Sequence, residues 1–192
     1  MKQKELIELF KKTNVIQTGH FELTSGRHTD TYLQCAQIFQ YPEYTNKLAG
    51  EIANLWEDTN LDLVVGPAIG GIIISYAVAA KIGLRNIFSE RKNGEMKFRR
   101  NLNVKEGERV LIVEDVVTTG GSVREVIDLL EESKADIVGI SSLVDRSNGQ
   151  VEFGYTFKPL VQLKVASYKE EECQLCKKGI PINKPGSKNI KS

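Results

Sequence analysis

A run of thirteen residues near the middle of the chain combines an apolar strand, two acids and a loop of hydroxyl and glycine residues. It reads Val-Leu-Ile-Val-Glu-Asp-Val-Val-Thr-Thr-Gly-Gly-Ser and covers residues 110–122. The loop opens a predicted helix, whose free backbone N–H groups attract a phosphate. Glu114 and Asp115 repel phosphate, so they need sugar hydroxyls or a hydrated magnesium ion as partners. The run therefore predicts a site for a phosphorylated ribose, which an ordinary helix cap would not require.

The same run excludes other phosphate sites. Residues 120–122 lack the Gly-Lys-Ser/Thr ending of a P-loop, and the chain has no Gly-x-Gly-x-x-Gly fingerprint for a dinucleotide. A phosphoacceptor receiver domain would also place an acid such as Asp115 at a strand end. That class needs an acidic pair after an early strand and a lysine after a late one, and the sequence provides neither.

The elements around this run alternate between apolar strands and helices. Strands are predicted at 61–65, 86–88, 109–113, 137–144 and 160–165, and helices at 2–13, 42–56, 72–82 and 122–133. Continuous Val/Ile/Leu strands are typical of a parallel sheet covered on both faces. An α/β fold of this kind binds ligands at the carboxyl ends of its strands.

Length, composition and charge narrow the class of protein. The chain has 192 residues, 41% of them hydrophobic, which suits one domain with an appendage. A net charge of +1 argues against a globally basic nucleic-acid binder. No apolar run approaches the length of a transmembrane helix, and residues 1–13 lack the apolar region of a secretory signal. We therefore expect a cytoplasmic protein without membrane or nucleic-acid partners.

Three cysteines stand at positions 35, 173 and 176. Cys173 and Cys176 have the spacing of half a zinc site, but a structural zinc needs four ligands. His20 and His28 lie far upstream in the sequence. We therefore favour a pair of reduced thiols in the C-terminal segment over a metal or redox role, and structural roles for both histidines.

Residues 110–122 resemble the phosphoribosyl diphosphate (PRPP) motif of type I phosphoribosyltransferases. Further segments resemble bacterial and archaeal orotate phosphoribosyltransferases over nearly the whole chain. These are HFELTSGRHTDTYLQ (20–34), GPAIGGI (66–72), the basic stretch after FSER (88–91), SLVDR (142–146) and CQLCKKGIPINKPGS (173–187). The resemblance implies one domain over residues 1–192, with a mostly parallel central sheet, helices on both faces and a small hood. The core would cover about 42–165, and the hood about 1–40 with the C-terminal part.

The resemblance also implies a reaction: orotate and PRPP give orotidine 5′-monophosphate and diphosphate, a step of pyrimidine synthesis. Magnesium would be held through PRPP, with no direct side-chain ligand. The PRPP-binding residues would be Glu114, Asp115, Val116, Val117, Thr118, Thr119, Gly120, Gly121 and Ser122. The first two would bind the ribose hydroxyls and the rest the 5′-phosphate. Residues 66–71 would form the loop on the diphosphate side, where Gly70 replaces a lysine of the better-known enterobacterial form.

Orotate carries a carboxylate, and the resemblance assigns it to Arg146, with Thr118 beside the pyrimidine and Tyr32 and Leu33 as a wall. A planar guanidinium can bind a carboxylate through two hydrogen bonds, which supports this assignment independently. Purines lack the carboxylate. A purine phosphoribosyltransferase would therefore be indifferent to Arg146 and remains an alternative, as does a PRPP-sensing regulator that binds nucleic acid.

A basic, glycine-containing stretch at residues 90–103 predicts a long polar loop. Its cations are Arg91, Lys92, Lys97, Arg99 and Arg100. The sequence shows no local anionic partner for them, although Glu90 and Glu95 lie within the stretch. By resemblance, Arg91 and Lys92 join Asp115 as catalytic residues, and the loop completes the site of the neighbouring subunit in a homodimer. A solvated hairpin and an RNA-binding patch are the alternatives.

Overall fold

The computed structural model describes residues 1–23 and 25–185. The helices are α1 (Gln3–Lys12), α2 (Pro42–Asn54), α3 (Gly70–Ile82), α4 (Gly121–Glu132) and α5 (Gln174–Lys177). The strands are β1 (Ile16–Glu22), β2 (His28–Leu33), β3 (Leu63–Pro67), β4 (Arg85–Lys92), β5 (Glu95–Phe98), β6 (Arg109–Val117), β7 (Asp136–Asp145) and β8 (Phe157–Gln162). Short 3-10 helices cover Cys35–Gln40 and Glu170–Glu172. None of the described helices combines the length and apolar character needed to cross a membrane.

Six strands form the central sheet in the order β5-β4-β3-β6-β7-β8. All neighbours pair in parallel except β4 and β5, which are antiparallel. One buried cluster lies on each face of the sheet. The side chains of β6 alternate between these clusters, with Leu111 and Val113 in one and Val110 and Ile112 in the other. The predicted α/β fold with a mostly parallel sheet covered on both faces is confirmed.

Strand β6 is longer than its apolar residues indicate. It was predicted to end at Val113 but runs to Val117, because β7 pairs with it as far as Val117 opposite Asp145. Glu114 and Asp115 therefore lie inside a strand and not after it. Their backbone positions are fixed by pairing with the neighbouring strand.

The predicted tight loop at residues 66–71 is also shorter in the structure. Strand β3 includes Gly66 and Pro67, and helix α3 begins at Gly70, so Ala68 and Ile69 are the only residues between them. The peptide bond between these two is cis. Gly66 packs against the side chain of Ser75, where a β-carbon would lie 2.8 Å from the Ser75 Cβ.

The predicted long loop at residues 90–103 is largely a β-hairpin. Strands β4 and β5 pair through Lys92 opposite Glu95, around an Asn93-Gly94 turn in which both residues have positive φ. Such a turn matches the twist of antiparallel strands. Met96 is buried in the cluster that contains α4, which holds the hairpin against the core. The stretch therefore has the geometry of the hairpin alternative and not that of a long loop.

The hood region contains a second, two-stranded sheet. Strands β1 and β2 pair antiparallel, with an irregularity between Thr18 and Phe21. The C-terminal segment extends this hairpin on both edges, through bridges of His28 with Tyr168 and of Phe21 with Asn183. Helix α1 contributes buried side chains to the same cluster as α2 and α3. The division into core and hood stays a prediction, and residues 24 and 186–192 of the predicted single domain lie outside the described residues.

Candidate active site

A cleft of about 220 Å³ lies where β6 leads into α4. It is lined by Arg91, Glu114 and the continuous run from Val116 to Val123. Every residue predicted to hold the 5′-phosphate, from Val116 to Ser122, therefore faces one cavity. The N-terminus of α4 opens into it, and its unpaired N–H groups suit an anion.

Gly120 sets the entry into α4. Its φ is 78°, a left-handed conformation that side chains disfavour. A β-carbon here would lie 2.7 Å from the Phe153 ring and 2.9 Å from Val151. The glycine is thus required both by the backbone turn and by the packing beneath it. The loop between β6 and α4 (residues 118–120), called the phosphate loop below, can therefore turn sharply while staying packed against the core.

The two predicted ribose acids lie side by side and are largely buried. Glu114 is only 7% exposed, and its Oε1 accepts a hydrogen bond from the Asp115 backbone at 3.0 Å. Asp115 Oδ1 accepts one from Val116 N at 2.9 Å. Burial raises the pKa of Glu114 well above its usual range, and the charge of Asp115 adds to the rise. Burial also raises the pKa of Asp115. Two buried carboxyls this close favour a shared proton, a cation or hydroxyl donors.

Two glycines at the start of α3 make room for these acids. A β-carbon on Gly70 would collide with the Asp115 carboxylate, and one on Gly71 would lie 3.1 Å from Glu114 Oε1. The glycine at position 70, where the enterobacterial form has a lysine, therefore has a steric basis in this chain. Cys35 lies behind the pair, with Sγ 3.8 Å from the Asp115 carbonyl oxygen. Burial, reinforced by both acids, raises the pKa of the Cys35 thiol well above its usual range, so it is a poor nucleophile.

A second cleft, of about 500 Å³, lies between the hood and the phosphate loop. The residues that line it are Glu22, Leu23, Ser25, Tyr32, Leu33, Val116, Thr118, Thr119, Arg146 and Pro185. Thr118 and Thr119 line both clefts, so the two cavities are adjacent. The predicted base-side residues Tyr32, Leu33, Thr118 and Arg146 thus come together.

Arg146 follows directly after β7. Its backbone N–H donates to Val117 O at 2.8 Å, which fixes it beside the phosphate loop. Within the described chain its guanidinium forms no hydrogen bond or ion pair, and burial lowers its pKa. The neighbouring Asp145 does not pair with it: Asp145 Oδ1 accepts from Ser147 N at 2.7 Å, and its Oδ2 is buried without a partner among the described residues. The guanidinium is therefore available to an anion in the second cleft.

The predicted catalytic cations differ in their surroundings. Arg91 lines the phosphate cleft and pairs with Glu125 of α4, with Nη1 2.7 Å from Glu125 Oε2. Lys92 is exposed and has no ion pair among the described residues. The remaining hairpin cations pair locally, Lys97 with Glu95 and both Arg99 and Arg100 with Glu90. The expectation that these cations lack a local anionic partner was wrong, since Glu90 and Glu95 within the stretch pair with three of them. Glu125 reaches Arg91 through the fold.

Sequence reasoning missed residues that reach the clefts from distant parts of the chain. Glu22, Ser25 and Pro185 line the second cleft; they lie within the segments 20–34 and 173–187 that carry the resemblance, but no role was assigned to them. It also placed the histidines far from the cysteines. The structure brings four such side chains together: His20, His28, Cys173 and Cys176. The Gly70-Gly71 doublet was the one available signal for a close approach to the acids.

Comparisons with known proteins agree with this geometry. The phosphoribosyl transferase domain family matches residues 34–171. The orotate phosphoribosyltransferase of Thermoanaerobacter sp. is 54% identical over 190 residues, 99% of this chain and 100% of that protein. That of Thermotoga maritima is 50% identical over 184 residues, 96% and 98% of the two chains.

Solved structures show the same fold. The orotate phosphoribosyltransferase of Aeropyrum pernix aligns with a TM-score of 0.70 at 21% identity, covering 82% of this chain and 93% of that one. At that identity the likeness concerns the fold alone, and the base specificity rests on the closer sequence relatives. The clefts at the carboxyl ends of β6 and β7, the fold and the full-length sequence similarity agree, and the chain belongs to the orotate phosphoribosyltransferase family of pentosyltransferases.

Proposed function

We propose that this protein joins orotate to the ribose of PRPP, releasing diphosphate and forming orotidine 5′-monophosphate for pyrimidine synthesis. One observation carries the proposal. The unpaired guanidinium of Arg146 lies in a cleft that shares Thr118 and Thr119 with the phosphate cleft. A base with a carboxylate can therefore be held beside a ribose whose 5′-phosphate lies at α4.

The phosphate cleft holds the 5′-phosphate of PRPP. Backbone N–H groups of residues 118–122 and the hydroxyls of Thr118, Thr119 and Ser122 are the donors. The N-terminal dipole of α4 adds favourable charge. Because β6 and α4 are both anchored in the core, these donors are fixed before substrate arrives. Pre-organised donors of this kind position a substrate without ordering themselves during the reaction.

Glu114 and Asp115 hold the ribose hydroxyls. Their carboxylates accept hydrogen bonds from the 2′- and 3′-hydroxyls. In the free protein the raised pKa values of the two acids favour a bound proton, and the hydroxyl hydrogen bonds take its place when the ribose binds. Fixing the ribose holds its anomeric carbon between the departing diphosphate and the attacking orotate. Asp115 lies against Gly70, so the ribose is held beside the start of α3, on the diphosphate side.

The site suits Mg²⁺ carried by PRPP. Buried Glu114 and half-buried Asp115 supply the hard oxygen atoms that surround this ion favourably. Glu114 and Asp115 would meet the ion through the ribose hydroxyls and not as direct ligands. When bound, Mg²⁺ supplies positive charge that stabilises the departing diphosphate.

The β4–β5 hairpin supplies further cations for the diphosphate. Arg91 is at the rim of the phosphate cleft of its own chain. Lys92, the next residue, is exposed and completes the site of a second subunit in this proposal. An exposed apolar face along α3 and the residue before it supports a homodimer, because Ile69 is 86% and Tyr76 66% exposed in the single chain. With Phe88 and Leu102, residues of this face line a further groove.

Cytoplasmic location follows from the same proposal, since pyrimidine synthesis takes place there.

The deciding experiment follows orotate consumption by ultraviolet absorbance in the presence of PRPP and Mg²⁺, with hypoxanthine, guanine and adenine in parallel. Arg146→Ala should weaken orotate use by about 2–4 kcal/mol, roughly 30- to 900-fold, with little change in PRPP binding. Arg146→Lys should recover only part of this, because it keeps the charge but loses the paired hydrogen bonds. Arg85→Ala is the control, since Arg85 pairs with Glu108 at the opposite end of the sheet. Turnover of a purine, or an equal loss for both substrates, contradicts the proposal.

Subunit mixing tests the role of the hairpin across the interface. Lys92→Ala and Asp115→Asn proteins should each be inactive, and a mixed dimer should regain one complete site. The two proteins are mixed, subunit exchange is verified by mass spectrometry, and activity is assayed. Recovery supports a contribution of Lys92 to the partner's site. Verified exchange without recovery shows that Lys92 acts within its own chain.

A further inference from the structure

Four side chains of metal-ligating type meet beneath the hood hairpin. His20 lies on β1, His28 on β2, and Cys173 and Cys176 at the start and within α5. One ligand atom from each lies within 4.8 Å of all the others. The histidines and cysteines are about 150 positions apart in the chain, so the fold and not the local sequence creates this cluster.

The distances fit a tetrahedral metal site. His20 Nε2 lies 3.2 Å from His28 Nδ1, 3.5 Å from Cys173 Sγ and 3.6 Å from Cys176 Sγ. His28 Nδ1 lies 3.1 Å from Cys176 Sγ. Metal–nitrogen bonds of about 2.0–2.1 Å and metal–sulfur bonds of about 2.3 Å give a tetrahedron with edges of roughly 3.3–3.8 Å. These four separations are close to those edges.

Hydrogen bonding alone does not explain this convergence. His20 Nδ1 lies 2.7 Å from the Ile180 carbonyl oxygen, so this nitrogen carries the proton and donates it. With the proton on Nδ1, Nε2 can offer at most one lone pair, yet three ligand atoms face it. A cation at the centre would satisfy all four atoms. The bond from Nδ1 to a carbonyl is also the usual arrangement by which a protein orients a metal-binding histidine.

We propose that His20, His28, Cys173 and Cys176 bind one Zn²⁺ ion as a structural site. Two thiolates and two neutral imidazoles around Zn²⁺ form an uncharged complex, which suits a location where three of the four ligands are buried. All four positions are taken by protein, so no place is left for a reacting water or substrate. The site is separate from the acids and threonines of the clefts, and it does not depend on the proposed reaction.

The zinc would fasten the hood hairpin to the C-terminal segment. Backbone pairing of His28 with Tyr168 and of Phe21 with Asn183 already joins these pieces. Two residues that line the second cleft, Tyr32 on β2 and Pro185 after Asn183, come from the two pieces. Metal binding therefore holds both walls of that cleft at a fixed separation. Loss of the metal should loosen the cleft while leaving the phosphate loop, which is anchored in the core, in place.

Metal content of the tag-free protein is the primary test. Elemental analysis after exhaustive dialysis should give about one zinc per chain for the wild type. Cys176→Ser is the test variant, because Cys176 is only partly buried and its replacement disturbs packing least. Cys35→Ala is the matched control, since it removes a cysteine outside the cluster. We expect the control to keep its zinc and the test variant to retain less than about a fifth of it.

Cobalt substitution keeps the proposal testable even where a variant fails to fold. Wild-type protein stripped with chelator under reducing conditions should bind Co²⁺ and show the intense visible bands and sulfur-to-metal charge transfer of a tetrahedral thiolate site. Stoichiometric zinc should displace it. Absence of both zinc and a tetrahedral cobalt spectrum overturns the proposal. A Cys173–Cys176 disulfide found by thiol titration of freshly purified protein, or equal zinc loss in Cys35→Ala, does the same.

Discussion

The phosphate cleft and the His/Cys cluster are two candidate binding sites that the chain builds in opposite ways. Apart from Arg91, the phosphate cleft takes its lining from one stretch of β6 and α4, namely Glu114 and the residues from Val116 to Val123. The cluster takes one residue from each strand of the hood hairpin and two from a segment far along the chain. A site built from consecutive residues is visible in the sequence. A site built across the fold becomes visible only when the tertiary contacts are known.

The two sites should also differ in what their loss does to the molecule. The cleft is part of the central sheet, so its backbone is as stable as the core. The cluster joins two peripheral pieces, and peripheral segments open at lower free energy than core strands. Changes at the cleft should therefore affect either chemistry or global stability. Changes near the hood should affect local stability and the second cleft, which contains Arg146.

The largest effect is expected at the acids of the cleft. Asp115→Asn should reduce kcat/KM for PRPP by about 10³-fold, near 4 kcal/mol, because the neutral amide no longer holds the ribose for displacement. The fold should be unchanged by circular dichroism, since the backbone of Asp115 is fixed by β7. Steady-state kinetics with orotate and PRPP measure the loss. A variant that keeps more than a tenth of wild-type activity would remove Asp115 from the proposed catalytic residues.

Substitutions at two glycines with similar backbone conformations distinguish the cost of backbone strain from the cost of steric overlap. Gly120 and Gly94 both have positive φ, 78° and 88°. A β-carbon at Gly120 would lie within 3 Å of Phe153 and Val151, whereas one at Gly94 meets nothing within 4 Å. Gly94→Ala should therefore cost about 1 kcal/mol from the backbone alone, and Gly120→Ala about 3 kcal/mol or more. Urea denaturation measures both. Equal losses would show that the phosphate loop relaxes independently of the core.

These cases indicate what the sequence could and could not predict. The sheet, the helices and the phosphate loop follow from apolar strands and a contiguous motif, and the resemblance added Arg146 from a short segment. The end of β6 was wrong by four residues, because pairing with β7 and not composition decides where the strand stops. The partner of Arg91 was missed because Glu125 lies 34 positions away and reaches it only through the packing of α4. Cys173 and Cys176 were interpreted without His20 and His28 for the same reason.

A smaller effect is expected where an arginine joins the hood hairpin to the C-terminal segment. Arg27 donates from Nε to Ser167 Oγ at 2.9 Å and from Nη2 to Ser167 O at 2.6 Å. Arg27→Ala should lower stability by about 1–2 kcal/mol, and with it the midpoint of thermal unfolding by roughly 2–8 °C. KM for orotate should rise several-fold, while KM for PRPP should stay within about twofold. Arg27→Lys, which retains one donor, should be intermediate. An equal rise in both KM values would mean that the hood also positions PRPP.

The smallest effect concerns the stability of the free protein and its pH dependence. Burial and the charge of Asp115 raise the pKa of Glu114, so the folded state binds a proton here more tightly than the unfolded chain does. The stability that this proton provides is fully present below the unfolded pKa of about 4.3. It is lost as pH rises through the folded pKa, because folding then requires a buried charge.

Glu114→Gln removes that charge and keeps an oxygen that can accept the hydrogen bond from the Asp115 backbone. The variant should therefore match the wild type near pH 4 and exceed it by about 1 kcal/mol at pH 8, while its activity falls. Asp115 remains, and burial raises its own pKa, so some loss of stability with pH should persist in the variant. Urea denaturation at pH 4, 6 and 8 measures the difference. A gap that shrinks as pH rises would show that Glu114 is stabilised as a carboxylate in the fold, and that the acids of the cleft impose no cost on stability in exchange for binding ribose.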